Sequence, residues 1–113
     1  MDLHHISDSD KALVGEALRA AVDGPFFPDR EFQTLFGLTR SEVRAVADTW
    51  PNVELNSTDV VLAVNNSLNN LLGYPHRQGH LSPRWISVSP LGLAELLCRL
   101  RKSSSESYFE RLM

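Results

Sequence analysis

The sequence predicts a mainly α-helical protein that folds as one compact domain of five or six short helices over residues 1–113. In most of the chain, apolar residues recur three and four positions apart, which is the spacing of one face of an α-helix. Helix-capping side chains precede several of these segments, and glycine or proline follows most of them. A length of 113 residues is typical of a single domain with its own core.

Each predicted helix has its own boundary signals. Gly24 ends the first helix, and Gly37 ends a short second one. Thr39 and Glu42 form a capping-box pattern at the start of the third helix. In the fourth, apolar residues share one side of the helical wheel, so this side should face the core. The predicted helices cover about residues 8–23, 29–36, 40–50 and 58–72, and the last begins at about residue 90.

Three segments fall outside this helical pattern. Residues 53–55 and 85–88 have the alternation or the β-branched content of strands, and they could pair as a minor two-stranded β element. Residues 74–84 are predicted to form a surface loop because proline and glycine interrupt them. Residues 103–113, which begin with a run of serines, could form a loosely attached C-terminal segment.

The sequence contains no signature of an enzyme active site. It lacks a Gly-x-Ser-x-Gly elbow and a phosphate-binding glycine-rich loop, so we expect no catalytic residues and no cofactor. Cys98 is the only cysteine, which excludes an intrachain disulfide, and its helical setting predicts a small packing residue. No leader sequence and no apolar run of about 20 residues is visible, so a cytoplasmic protein without membrane contact is expected.

Four histidines raise the question of a metal site. His76 and His80 lie four positions apart, but neighbouring proline and glycine place them in a loop rather than on one helix face. His4 and His5 could join them only if the fold brought the N-terminus close. The tight Cys/His pairs of a structural zinc site are absent, so we predict no metal ligands. A metal-assisted enzyme at the His76/His80 loop remains a third hypothesis.

Charge is distributed unevenly along the chain. Residues 1–59 carry eleven acidic and five basic residues, a net charge of −6. Residues 60–113 carry three acidic and six basic residues, a net charge of +3. If the acidic residues share one face, that face would attract a basic partner. If folding interleaves the two sets, the fields would cancel.

Residues 32–48 resemble the helix-turn-helix of DNA-binding proteins. Gly37 stands at the turn, and apolar residues occupy the packing positions on both sides of it. Gln33 departs from the pattern, which has a small residue there, and the local charge of −6 opposes binding to phosphates. A small DNA-binding regulator is therefore the alternative function. The resemblance implies that its recognition helix begins with Arg40, Ser41 and Arg44.

An asparagine-rich face interrupts the predicted fourth helix. Asparagine is a weak helix former, and the cluster lies opposite the apolar side, with Leu62 in its middle. This face could bind a protein partner, or it could be a buried polar network that joins the helix to the loop at residues 74–84. The four asparagines are Asn65, Asn66, Asn69 and Asn70.

In size, acidity and helical make-up the chain resembles small bacterial immunity and antitoxin proteins. The resemblance implies a non-enzymatic protein-binding module that blocks a basic toxin or nuclease domain through an acidic surface. Its candidate acidic residues are Asp23, Asp29, Glu31, Glu42 and Asp48. The candidate anchors and polar contacts are Trp50, Tyr74, Leu62, Asn66, Asn69 and Asn70.

Overall fold

Five α-helices form the regular structure of the described residues. These are residues 1, 3–55, 57–74 and 84–112 of a computed structural model, with side chains described as far as residue 101. The prediction of a mainly α-helical domain is confirmed. The helices are α1 (Asp8–Asp23), α2 (Asp29–Phe36), α3 (Arg40–Thr49), α4 (Thr58–Gly73) and α5 (Pro90–Leu112).

Local signals set several of the helix boundaries. Glu42 N–H donates to Thr39 Oγ1 at 3.2 Å, and Thr39 N–H donates to Glu42 Oε1 at 2.9 Å, so the predicted capping box is present. Ser57 caps α4 by accepting a hydrogen bond from the Val60 N–H. Gly37 ends α2 in the left-handed conformation, with φ of 69°, which favours glycine. These interactions satisfy backbone groups that helix ends leave unpaired.

Helix α4 lies at the centre of the core and contacts the other four helices. Its predicted apolar side is largely buried, because branched side chains at helical spacing point into the core. Next to it, the rings of Phe32 and Phe36 stack with their centres 4.2 Å apart, and Phe27 meets Phe36 edge-on at 5.2 Å. The buried α4 side chains include Val60, Val64, Leu68 and Leu71.

The segments considered as a minor β element are loops. Residues 53–55 and 85–88 form no strand within the described part of the chain. The Val53 N–H donates to the carbonyl two residues earlier in a turn, at 2.9 Å. The Ser87 N–H donates to the Glu16 carboxylate on α1 at 2.6 Å. Because these donors are already bonded elsewhere, neither is available for pairing between the two segments.

Helix α5 continues without a break through residues 103–112, past the serine run. Its buried side chains include Leu93, Leu97 and Leu100, which lie at helical spacing on the side that faces the core. Cys98 lies on a different side of the helix and is exposed. The prediction that Cys98 packs in the core is therefore wrong.

The guanidinium group of Arg40, at the start of α3, joins three parts of the fold. Its Nε forms an ion pair with Asp29 Oδ1 at 2.8 Å, without the alignment of a hydrogen bond. Its Cζ lies 4.4 Å from the centre of the Phe32 ring, which adds cation–π attraction. Arg40 thereby holds α2 and α3 against the C-terminal end of α1, whose last carbonyls lack helical partners. Its NH groups donate to the carbonyls of Ala21 (3.3 Å), Val22 (2.8 Å) and Phe27 (2.7 Å).

Replacing Arg40 with alanine should lower the free energy of unfolding by about 2–4 kcal/mol, because three carbonyls lose a charged donor. Arg40→Lys should recover only part of this loss, since an ammonium lacks the planar fork of a guanidinium. The matched control is Arg30→Ala on the exposed side of α2, which should change the free energy by less than about 0.5 kcal/mol. Urea denaturation measures all three variants, and equal losses at both positions would contradict the role of Arg40.

Ser67 on α4 is fully buried, and its Oγ has no hydrogen-bond partner among the described atoms. Burial of an unpaired hydroxyl opposes folding, and alanine is the better helix former. Ser67→Ala should therefore raise the free energy of unfolding by about 0.5–2 kcal/mol, as measured by urea denaturation. Ser41→Ala, at an exposed position of α3, is the control and should have little effect. Destabilisation by Ser67→Ala would show that the hydroxyl is bonded in solution.

Candidate functional site

Asp23 and Asp48 belong to an ion-pair network that joins α1 to α3. Arg19 contacts both carboxylates, at 3.2 Å from Asp23 and 2.8 Å from Asp48. Arg44 contacts the other oxygen of Asp23 at 2.6 Å. The hydrogen bond from Arg44 is the main reason that the pKa of Asp23 lies below its ordinary value of 3.8. Two of the predicted partner-binding acids are thus paired within the chain.

The other three predicted acids also have partners within the chain. Asp29 pairs with Arg40, and Glu31 accepts a hydrogen bond from the Tyr74 hydroxyl. Glu42 accepts the capping hydrogen bond from the Thr39 backbone, which lowers the pKa of Glu42. The five acids therefore do not form one unpaired acidic face. Glu42 alone among them borders the open groove between α3 and α4.

The predicted aromatic and aliphatic anchors pack inside the domain. Trp50 Nε1 donates to the Lys11 carbonyl at 2.8 Å, and a Cβ at Gly15 would lie 3.2 Å from the Trp50 ring. The Tyr74 ring meets Phe27 edge-on, with centres 5.6 Å apart. Half-buried Leu62 packs against the core. Trp50, Tyr74 and Leu62 therefore stabilise contacts between helices.

Asn66 and Asn70 on α4 satisfy the last carbonyls of α2. Asn66 Nδ2 donates to the Phe36 carbonyl at 2.8 Å, and Asn70 Nδ2 donates to the Leu35 carbonyl at 3.0 Å. Both carbonyls lie in the last turn of a helix, where no backbone N–H follows to bond them. Asn66 and Asn70 therefore fit the hypothesis of a polar network inside the fold. The network reaches α2; residues 75–83 of the loop named in that hypothesis lie outside the described residues.

Asn65 and Asn69 face α5. Arg101 donates to the side-chain oxygen of Asn65 at 3.3 Å and to that of Asn69 at 3.4 Å. Asn65 Nδ2 in turn donates to Asn66 Oδ1 at 3.2 Å. The four asparagines thus link α5, α4 and α2, which explains why a helix carries so many weak helix formers on one side.

The two arginines of the helix-turn-helix hypothesis point toward the end of α1. Arg40 is bonded to backbone carbonyls there, and Arg44 contacts Asp23 and lies 3.5 Å from the Val22 carbonyl. Ser41 is exposed on α3. A recognition helix needs its basic side chains free to reach phosphates or bases. The arrangement of Arg40 and Arg44 therefore does not support nucleic-acid binding by α3.

The structure describes two of the four histidines. His4 and His5 are exposed near the N-terminus, whereas His76 and His80 lie outside the described residues. Among the described residues, no group of three or more His, Cys, Asp or Glu side chains has the arrangement of a metal site. None of the described helices is long and apolar enough to cross a membrane.

An open groove of ≈ 440 Å³ runs between α3, the connection that follows it and the start of α4. Its valines are buried or half-buried, and its carboxylates and Ala45 are exposed. We call this feature the acidic groove. Its floor is Val46, Val53 and Val60, and its rim carries Glu42, Glu54 and Asp59.

The acidic groove carries negative charge that no described lysine or arginine neutralises. Within the described residues, no lysine or arginine lines the groove, and no ion pair to Glu54 or Asp59 is present. Its polar hydroxyls are bonded locally, with Thr49 Oγ1 donating to the Ala45 carbonyl at 2.8 Å. The rim carboxylates are therefore the groups that a ligand would meet.

Sequence reasoning counted Glu54 and Asp59 in the charge balance but did not select them as site residues. A local signal was present, because no lysine or arginine occurs between Arg44 and Arg77. Acids in such a stretch can find a cation only through a distant segment. Asp48 does so through Arg19, and Glu54 and Asp59 form no ion pair with the described residues.

No family model, curated protein or solved structure matches this chain. The structure itself defines the class of protein as a small helical domain with an open, apolar groove rimmed by carboxylates. Small-molecule sites enclose most of their ligand, whereas an open groove leaves one side of its occupant uncovered. The geometry is thus better suited to part of another macromolecule.

The Asp23 network predicts a specific dependence of stability on pH. Because the pKa of Asp23 is lowered in the folded state, its stabilising effect is fully present above its ordinary value of 3.8 and is lost as the pH falls below that value. The difference in free energy of unfolding between the wild type and Asp23→Asn should therefore be largest near neutral pH and shrink in acid. Urea denaturation at a series of pH values measures this difference.

Glu54→Gln is the control for this experiment, since Glu54 lies outside the ion-pair network. A difference between the wild type and Asp23→Asn that stayed constant across the acidic range would contradict the ion-pair role of Asp23.

Proposed function

We propose that this protein is a non-enzymatic protein-binding module of the bacterial immunity or antitoxin type, which acts in the cytoplasm by blocking a basic protein partner. The acidic groove is the observation that carries this proposal. Three exposed carboxylates border an apolar floor, and no lysine or arginine in the described part of the chain lines the groove beside them. Such a surface favours a partner that brings its own lysines or arginines.

The chemistry of the partner follows from the groove. A toxin or nuclease domain must attract phosphates, so it presents a cluster of basic side chains around its cleft. Carboxylates set on a rigid helical scaffold can occupy such a cluster in place of phosphates. Opposite charges also accelerate association, which suits a protein that has to reach its target quickly.

The proposed surface differs from the one that the sequence alone indicates. Asp23, Asp29 and Asp48 already pair with arginines of this chain, so a partner would have to displace those arginines to reach them. Glu54 and Asp59 form no ion pair with the described part of the chain, so no described arginine has to be displaced from them. The binding energy is therefore expected to concentrate at the groove.

Neutralising the groove should weaken binding to the partner. We would capture the partner from the native host with the wild-type chain and then compare variants by isothermal titration calorimetry. Glu54→Gln combined with Asp59→Asn should lower affinity by about tenfold or more, and affinity should fall with added salt. Asp23→Asn combined with Asp48→Asn removes the same charge from the paired network and should change affinity by less than about threefold.

Two outcomes would overturn the proposal. Equal weakening by the two double variants would show that net charge, rather than the groove, determines binding. Capture of duplex nucleic acid as the stoichiometric ligand would favour the DNA-binding alternative instead. Circular dichroism on each variant verifies that the fold is retained.

A further inference from the structure

We infer that the acidic groove binds a short basic amphipathic helix of the partner, about two helical turns long. This inference rests on the proposed function and specifies the structural element that enters the groove. It follows from the length of the groove, from the hydrogen-bonding groups along it, and from the positions of its apolar and acidic side chains.

The length of the groove is set by one face of α3. This face runs from Glu42 to Thr49, seven positions along a helix that rises about 1.5 Å per residue. The groove is therefore about 10 Å long, which equals two turns of a helix or three residues of an extended chain. Length alone admits both.

Hydrogen bonding favours the helix. An extended peptide must find partners for its backbone N–H and C=O groups along the groove. The α3 wall offers few, because α3 uses its backbone groups internally, and both groove hydroxyls are bonded within the chain. Thr49 Oγ1 donates to the Ala45 carbonyl, and Ser57 Oγ accepts from the Val60 N–H. A helix satisfies its own backbone and needs none of these groups.

The side chains of the groove specify the pattern of the incoming helix. Val46 and Val60 are only 7 % and 5 % exposed, so the floor is formed by well-packed apolar side chains against which a side chain such as leucine can lie. Glu42 projects from α3, whereas Glu54 and Asp59 lie across the groove. A helix with a leucine toward the floor and lysines or arginines on both sides of it, three or four positions away, pairs with both walls.

The test uses three synthetic peptides of 16 residues, each added to the full ¹⁵N-labelled chain at low salt. The first is an alanine-based helix with a central leucine flanked by lysines at i±3 and i±4. The second has the same sequence except that one central alanine is replaced by proline, which breaks the helix. The third has glutamate in place of each lysine. Amide chemical shifts give both the affinity and the site.

The helical basic peptide should shift the amides of Ala45, Val53 and Asp59 and bind at least about tenfold more tightly than the proline peptide. The glutamate peptide should not bind. Glu54→Gln combined with Asp59→Asn should abolish the shifts, and Asp23→Asn combined with Asp48→Asn should preserve them.

Several results would overturn the inference. Equal binding of the helical and proline peptides would indicate an extended occupant, and absence of millimolar binding by the first peptide would exclude a basic helix of this pattern. Groove shifts on concentrating the chain alone would identify a second copy of the chain as the occupant. If the groove variants still lose the captured partner while the peptide results are negative, the proposed function stands and only the helical occupant is wrong.

Discussion

The fold depends on one guanidinium group. Arg40 donates to three carbonyls around the end of α1 while its guanidinium group lies over the Phe32 ring. Because Arg40 is the first residue of α3, these contacts tie the N-terminal end of α3 to the end of α1. The same helix forms one wall of the groove, since Glu42, Ala45, Val46 and Thr49 lie on one α3 face. Arg40 and one wall of the proposed binding surface thus belong to the same helix, α3.

The internal use of charge explains where the unpaired acids remain. Four arginines form ion pairs with carboxylates of the chain, namely Arg19, Arg40, Arg44 and Arg99. Several acidic residues of the first half of the chain therefore stabilise the fold. The stretch between Arg44 and Arg77 has no lysine or arginine, and all of the groove residues except Glu42 lie within it. A net charge counted along the sequence therefore overstates the acidic surface and misplaces it, because pairing removes charge unevenly across the fold.

Local features of this protein were predictable, and distant pairings were not. The capping box of Thr39 and Glu42 and the apolar side of α4 depend on residues three or four positions apart, so the sequence displays them directly. The carbonyls bonded by Arg40 and Asn66, and the carboxylate bonded by Tyr74, lie 13 to 43 positions away. No periodicity reveals such contacts, which is why arginines assigned to DNA and asparagines assigned to a partner prove to be bonded inside the domain. Cys98 shows the same limit, since a helical pattern alone did not fix which side faced the core.

The two asparagines that bond the end of α2 also make a short helix depend on a distant one. Helix α2 has eight residues, and its N-cap, Pro28, forms no side-chain hydrogen bond. A helix this short is marginal in isolation. Its last two carbonyls accept hydrogen bonds from Asn66 and Asn70, thirty and thirty-five positions later, and its first residue pairs with Arg40. The segment that is second in the chain is therefore held at both ends by residues that follow it.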